Sequence, residues 1–140
     1  MKGNKLIVKE STLPGAGKGL FTKRLIPSGT QIVEYKGRVT TWKEVSEKEV
    51  DNGYLLYVTR NHVINARPYT KAYGRYANDA KGFGKIKGIR NNSIYVTVKK
   101  RVFIEAIRDI QPGEEILVDY GKDYWKTMRE NLRIAKREKR

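Results

Sequence analysis

The sequence contains no cysteine and a single histidine, His62, among its 140 residues. Without cysteine there is no disulfide, no thiolate zinc site and no cysteine nucleophile. One histidine makes a multi-histidine metal site or a Ser-His-Asp triad impossible or nearly so. We therefore expect no metal at the functional site.

Long hydrophobic runs are also missing. No apolar stretch reaches the 18 residues or so that a membrane-spanning helix needs, so we expect no membrane partner. The N-terminus is charged again at Lys9 and Glu10, which leaves no room for the apolar core of a secretory signal. We expect an intracellular protein, in the cytoplasm or nucleoid or in a nucleus. A hydrophobic content of 39% suits one domain with one core.

Acidic residues are few, 15 against 30 basic ones, and the net charge is +15. Residues 81–101 contain seven basic and no acidic residues, and residues 122–140 contain eight basic and three acidic ones. Such a field favours anionic partners, most often nucleic acid. The alternative is a solvated basic surface that serves solubility. Lys99, Lys100 and Arg101, at a predicted hairpin tip, and the basic C-terminal segment are the candidate nucleic-acid contacts.

Apolar alternation and turn residues predict a mostly β chain with few helices. Strands are predicted at 5–9, 20–26, 30–35, 54–60 and 63–66, then as a hairpin over 93–107 and a last strand over 115–120. A short helix is predicted over 40–50, where Thr40 or Thr41 can cap the N-terminus. Residues 67–92 show weak periodicity, and long irregular segments in compact domains are often functional. Residues 126–140 are predicted to be helical, with Trp125, Met128 and Leu132 as a short apolar stripe.

The run Gly15-Ala16-Gly17-Lys18-Gly19 is not a phosphate-binding P-loop, because no Ser or Thr follows Lys18. It is not a dinucleotide fingerprint either, because the glycine spacing and the following helix do not fit. Two interpretations stay open: a plain tight turn, or a backbone that approaches a ligand closely. Tyr120, at the end of the last strand, is likewise either a core residue or a residue whose hydroxyl has a function.

The order of four motifs is more informative than any one of them. GKGLFTKRLIPSGTQIVEYKG, VINA, GRYANDA and IRDIQPGEEILVDYG follow each other over about Gly15 to Trp125. This order resembles the SET domain of protein-lysine methyltransferases. The chain departs from the family at Asn78-Asp79-Ala80, where the usual run is Asn-His-Ser. Many members also carry a cysteine-rich zinc segment after the domain, and here the C-terminal helix would have to replace that lid.

The resemblance implies a fold of several short-stranded sheets with a knotted-loop core and a C-terminal helix. Residues 1–125 would form the single domain, and 126–140 a basic helix that acts as a lid or a tail. It also implies S-adenosylmethionine as the methyl donor, S-adenosylhomocysteine as the product and a lysine side chain of a protein as the acceptor.

By motif match, Tyr120 is the catalytic residue and lies beside the amine. Tyr35 and Tyr95, with Tyr120, match aromatic residues of the lysine channel. Trp125 resembles the aromatic residue that packs on adenine, or it anchors the last helix. Arg75 either contacts the carboxylate end of the cofactor or braces its loop. The residues implied for cofactor binding are Ala16, Gly17, Lys18, Arg75, Asn78, Asp79 and Trp125.

Three functions remain open from the sequence. The first is a lysine methyltransferase with a protein substrate. The second is a small basic β-rich protein that binds nucleic acid through a non-catalytic SET-like fold. The third combines them: an enzyme whose basic face docks on nucleic acid and modifies a chromatin or nucleoid protein. The sequence does not indicate the target lysine, the number of methyl groups added, the oligomeric state or the source organism.

Overall fold

A computed structural model of the chain describes residues 5–48, 52–81 and 87–121. Short strands dominate these three ranges, with one helix and one 3-10 turn. The predicted C-terminal helix (126–140) and Trp125 lie outside the described residues. The elements are β1 (Leu6–Glu10), β2 (Lys18–Thr22), β3 (Gln31–Glu34), β4 (Arg38–Thr40), α1 (Trp42–Lys48), β5 (Leu55–Thr59), β6 (His62–Asn65), the 3-10 turn (Tyr73–Tyr76), β7 (Ser93–Val98), β8 (Arg101–Ala106), β9 (Glu115–Ile116) and β10 (Val118–Asp119).

The described strands form three small sheets. The first has the order β1-β2-β9 and the third β4-β6-β5, and both are antiparallel. The second has the order β10-β7-β8-β3, in which only the β10–β7 pair is parallel. The prediction of a mostly β fold built from several short-stranded sheets is confirmed. In the described part of the chain, no helix is long and apolar enough to span a membrane.

The main core lies where the first two sheets meet. Alternate residues of β8 point inward, so that Val102, Ile104 and Ala106 are buried while their neighbours are more exposed. Each fully buried aliphatic side chain of this kind contributes about 1.5–3 kcal/mol relative to an exposed one. Tyr120 and Tyr95 pack against this core from its edge. Two of the candidate site residues therefore pack directly against the main core.

The predicted helix over 40–50 is confirmed, with the bounds Trp42–Lys48. The hydroxyl of Thr41 accepts a long hydrogen bond (3.4 Å) from the N–H of Glu44, as an N-cap side chain does. Val45 is buried, and Trp42 meets Tyr57 edge to face at 5.8 Å. Just before the helix, β4 pairs with β6; this three-residue strand was not predicted.

The single last strand predicted over 115–120 is wrong, because the chain changes sheets at Leu117. The side chain of Asn92, 1% exposed, takes the place of a neighbouring strand there. Its Nδ2 donates to the carbonyl of Glu115 (2.8 Å), and its Oδ1 accepts from the N–H of Leu117 (2.9 Å). Ser93 Oγ also donates to the carbonyl of Leu117 (2.9 Å). The strand is thereby divided into β9 in the first sheet and β10 in the second.

The segment 115–121 passes between two segments that are distant in the sequence. On one side the carbonyl of Asn78 accepts from the N–H of Val118 (2.8 Å), and on the other side β10 pairs with β7. This packing is consistent with the knotted-loop core that the resemblance implied. It carries the chain to Tyr120 with hydrogen-bonded segments on both sides.

Candidate active site

Tyr120 follows β10 and is held at both of its ends. Its hydroxyl donates to the carbonyl of Ala77 (2.5 Å), and its N–H donates to Oδ2 of Asp79 (2.9 Å). Its ring stacks on Tyr95, with centroids 6.1 Å apart and an interplanar angle of 16°. The ring packs against the core while the hydroxyl contacts a main-chain oxygen, so the core role does not exclude a role for the hydroxyl.

The three tyrosines predicted for the lysine channel lie in one row. Tyr35, at the end of β3, meets Tyr95 of β7 edge to face, with ring centroids 5.8 Å apart. Tyr95 in turn stacks on Tyr120. The hydroxyl of Tyr35 donates to the carbonyl of Tyr54 (2.8 Å), which fixes the buried end of the row. The fold therefore brings together side chains from three distant parts of the sequence.

The loop 11–17 carries the glycine-rich run. A main-chain hydrogen bond joins its two ends, and the space beside two of its glycines is open. The N–H of Ser11 donates to the carbonyl of Gly17 (2.8 Å). Gly15 and Gly17 have φ angles of 75° and 73°, in the left-handed region that favours glycine. A Cβ at either position would meet no atom within 4 Å. The loop is a tight turn, and its main chain is also accessible to a close ligand.

Asn78 connects this loop to the last strand. Its Nδ2 donates to the carbonyl of Lys18 (2.9 Å) and lies 3.4 Å from Oε2 of Glu115. Its own carbonyl accepts from Val118, as described above. Lys18 and Asn78, both predicted cofactor contacts, are therefore direct neighbours.

Glu115 anchors the same loop, and the sequence did not indicate this role. The side chain is 6% exposed. Its Oε1 accepts from the N–H (2.9 Å) and the hydroxyl (2.6 Å) of Thr12, and its Oε2 accepts from the hydroxyl of Ser11 (2.7 Å). A Cβ at Gly19 would lie 2.3 Å from this oxygen, which explains the glycine. The only sequence signal was the second glutamate of PGEE, which resembled an ordinary turn residue.

Asp79 is 3% exposed and uses its carboxylate within the protein. Its Oδ1 accepts from the N–H of Lys81 and from Nδ2 of Asn91, both at 2.8 Å. Its Oδ2 accepts from the N–H of Tyr120. The residue predicted as a cofactor contact thus lies directly behind Tyr120.

The contacts of Arg75 match the bracing alternative. Its Nη1 donates to the carbonyls of Ala66 (3.0 Å) and Arg67 (2.7 Å). Its guanidinium lies 4.1 Å from the ring centroid of Tyr54, at cation–π distance. The residue ties the 3-10 turn to the segment after β6.

Two acidic groups close to the site are paired with cations. Asp119 lies 3.2 Å from Nζ of Lys81 and accepts from the N–H of Gly121 (2.8 Å). Burial alone would raise the pKa of Asp119, but the N–H of Gly121 and the Lys81 ammonium outweigh it, and the pKa lies below its ordinary value. The hydrogen bond and charge of Arg101, 2.7 Å away, lower the pKa of Glu34 despite partial burial.

The predicted basic hairpin tip is present, but its three basic residues have different surroundings. Arg101 is paired with Glu34. Lys99 and Lys100 form the two-residue turn between β7 and β8, are exposed, and have φ angles of 49° and 68°. The hairpin therefore presents two adjacent lysines in a conformation that lysine rarely adopts.

Comparison with known proteins shows which family and which relatives this sequence resembles. The SET domain family matches residues 17–121. The N-lysine methyltransferase KMT5A-A of Danio rerio is 27% identical over 120 residues, covering 78% of this chain and 33% of the relative. KMT5A of Xenopus tropicalis is 29% identical over 127 residues (81% and 36%), and the human histone-lysine N-methyltransferase PRDM16 is 27% identical over 127 residues (79% and 10%). The chain spans about a third or less of the length of these relatives.

Proposed function

Because the chain belongs to the SET-domain family, we propose that it is a protein-lysine N-methyltransferase that uses S-adenosylmethionine. The single observation that carries the proposal is the row of Tyr35, Tyr95 and Tyr120, which ends at a tyrosine hydroxyl on the carbonyl of Ala77. Asn78 connects this end of the row to the glycine loop. The alternative of a non-catalytic nucleic-acid-binding protein is supported by the charge alone.

The residues around the loop suit the methyl donor. When bound, S-adenosylmethionine would supply a methyl group on a sulfonium sulfur: a neutral amine would bond to the methyl carbon as the S–C bond breaks, the electron pair of that bond would stay on sulfur, and the methylated ammonium would later release a proton to solvent. Carbonyl oxygens can hold the polarised methyl group of a sulfonium through weak C–H···O contacts. The open main chain of Ala16, Gly17 and Lys18 and the side chain of Asn78 would hold the donor. Trp125 remains a proposal for adenine packing, and we propose Arg75 as the residue that braces its loop instead of a contact to the carboxylate end.

The protein's part in the reaction is to make the lysine neutral and to orient it. At neutral pH only about one lysine in 10³ has lost its proton. A sleeve of tyrosine rings disfavours the charged form by desolvation and so lowers the pKa of a lysine inside it. The Tyr120 hydroxyl, whose proton is directed at Ala77, has oxygen lone pairs that can accept an N–H of the amine. The nitrogen lone pair is then free for the methyl group.

Two measurements on the purified chain test the activity. Calorimetric titration with S-adenosylmethionine should show one site, and Asn78→Ala should weaken it because the tie to Lys18 is lost. Labelled methyl groups should appear on lysine-containing peptides, and replacing the lysines with arginine should abolish the label. Absence of both binding and transfer would contradict the proposal and favour the non-catalytic alternative.

We propose further that the substrate is a chromatin or nucleoid protein and that the chain works where nucleic acid is present, in a nucleus or a nucleoid. The support is the net charge of +15, the exposed pair Lys99 and Lys100, and the names of relatives such as PRDM16, a histone-lysine N-methyltransferase. The basic hairpin would contact phosphates without reading sequence. The substrate would then be found by proximity to its nucleic acid.

Residues 126–140 are proposed as a basic lid over the site. The sequence supports this through the short apolar stripe of Trp125, Met128 and Leu132. A chain that ends at residue 125 should bind the donor less tightly and transfer methyl groups more slowly. Full activity of the shortened chain would show that the segment is a tail.

A further inference from the structure

Two short segments run beside each other at the candidate site and are connected at several points. They are Ala77–Lys81 and Val118–Gly121. The links are the N–H of Val118 to the carbonyl of Asn78, the hydroxyl of Tyr120 to the carbonyl of Ala77, the N–H of Tyr120 to Asp79, and the ion pair of Lys81 with Asp119.

The carboxylate of Asp79 is buried within this arrangement, since the residue is only 3% exposed. It accepts three hydrogen bonds from nitrogen donors, all between 2.8 and 2.9 Å. Hydrogen bonds to a charged acceptor are stronger than those between neutral groups. A histidine ring, which stands here in the family's usual run, has at most one acceptor nitrogen and could not replace it. The aspartate therefore has a function of its own in this chain.

Asp79 and Ala77 together fix both ends of Tyr120. The carboxylate holds the main chain of the tyrosine, and two residues earlier a carbonyl holds its hydroxyl. Tyr95 covers one face of the ring. A displacement of the main chain at residue 120 would move the hydroxyl along the row of rings.

The residue between them, Asn78, donates to the carbonyl of Lys18, the first residue of β2 after the glycine loop. One three-residue segment therefore sets the separation between the loop and the Tyr120 hydroxyl. We propose that Asp79 is a positioning residue that keeps Tyr120 at the productive distance from the methyl donor. This inference rests on the proposed methyl transfer and assigns Asp79 a role behind the site instead of a contact with the cofactor.

Asp79→Asn tests the proposal with almost no change in size. To keep the bonds from Asn91 and Lys81, the new amide must place its oxygen where Oδ1 was. Its NH2 group then faces the N–H of Tyr120, and the bond to the tyrosine is lost. We expect kcat to fall about 10- to 100-fold, as a small misplacement of a catalytic group does, while the KM for S-adenosylmethionine changes much less.

The double exchange Asp79→Asn with Asn91→Asp provides the rescue. Aspartate at position 91 accepts from the amide at position 79 and can still accept from the N–H of Ala80, which Asn91 does now (2.8 Å). The amide at position 79 can therefore turn, and its oxygen again accepts from Tyr120. The N–H of Lys81 stays without this acceptor, so the double variant should recover kcat more fully than stability. If Asp79 served only the fold, kcat and stability would recover to the same extent in the double variant.

The readouts are kcat, melting temperature and hydrogen exchange of the Tyr120 amide by NMR. Asp109→Asn, the same change at an exposed aspartate, is the control and should leave all three near wild type. We expect the Tyr120 amide to lose protection in Asp79→Asn and to regain it in the double exchange.

Unchanged protection in the single variant, or a double variant whose kcat is no higher than that of Asp79→Asn, would overturn the proposal. If the single variant does not fold, a folded double variant whose kcat stays tenfold or more below wild type would overturn it too. A wild-type chain that transfers no methyl group would contradict the proposed function instead, and amide exchange would still decide whether Asp79 holds Tyr120.

Discussion

At the scale of single residues, side chains that bond to distant main-chain groups hold the site together. Asn78, Asp79, Asn92 and Glu115 each contact main chain at least 23 positions away in the sequence. Such bonds are worth about 0.5–1.5 kcal/mol each, and more where the group is charged. Their larger effect is geometric, because each excludes an alternative course of the chain.

Acid should weaken the site through Asp119. The N–H of Gly121 and the ammonium of Lys81 lower the pKa of this residue in the folded protein, so these two contacts stabilise the fold fully above the unfolded pKa, at about pH 4. The contribution is lost as the pH falls through the lower, folded pKa. Asp119→Asn should therefore reduce the decline of melting temperature between about pH 5 and pH 2. An identical decline in variant and wild type would show that the pair adds nothing to stability.

The sequence was sufficient to predict some of the site residues but not others. Tyr35, Tyr95 and Tyr120 were predicted from motif order, and the structure brings their rings into one row. Glu115 was not predicted, because its partners lie more than 100 positions away and no local pattern marks a buried carboxylate. The same holds for the contact of Asp79 with Tyr120, 41 positions away.

At the scale of elements, the glycine loop depends on Glu115. Glu115→Gln would turn an NH2 group toward hydroxyl and N–H donors of Ser11 and Thr12, and we expect a loss of about 1–3 kcal/mol in unfolding free energy or in cofactor affinity. The neighbouring change Glu114→Gln is the control. Glu114 is partly exposed and bonds to Arg108 and Gln111, in the turn that precedes β9. Equal losses in the two variants would contradict the anchoring role.

The turn between β7 and β8 should be strained. Both of its residues have positive φ, a conformation for which Asn-Gly is the favoured pair. Replacing Lys99→Asn and Lys100→Gly should raise the unfolding free energy by about 1–2 kcal/mol. The pair Lys99→Gln and Lys100→Gln removes the same charge without relieving the backbone. If both double variants were equally stable, the turn would store no strain.

Prediction of strands and helices succeeded where the local sequence pattern determines the element. It failed where a side chain that is distant in the sequence determines it. The hairpin of β7 and β8 followed from apolar alternation on both sides of Lys99-Lys100-Arg101, and the structure narrows the predicted connection to Lys99 and Lys100. The division of the last strand at Leu117 depends on the amide of Asn92, which no window around residue 117 contains. β4 was missed because three residues between a glycine and a helix are too few to show a hydrophobic periodicity. Its pairing with β6 is a tertiary contact that no local pattern indicates.

At the scale of the whole molecule, the positive charge should be visible in nucleic-acid binding. Affinity for duplex DNA should fall with salt by about 0.9 in log K per decade for each phosphate contacted. Lys99→Gln with Lys100→Gln should reduce this slope by roughly 1.8 if each lysine contacts one phosphate. Lys23→Gln with Arg24→Gln removes two exposed charges elsewhere and is the control. Equal reductions would indicate general charge instead of a hairpin contact, and no complex at low salt would contradict the nucleic-acid proposal.

The central claim, that this fold uses the Tyr120 hydroxyl to transfer a methyl group to lysine, is tested most directly by single-turnover methyl transfer in Tyr120→Phe. The ring still fills its place beside Tyr95, so we expect a loss of only about 0.5–1.5 kcal/mol in stability. The transfer rate should fall about 100-fold, while Tyr69→Phe, the same change at an exposed tyrosine, should leave it unchanged. A folded Tyr120→Phe protein that transfers methyl groups at the wild-type rate would contradict the account.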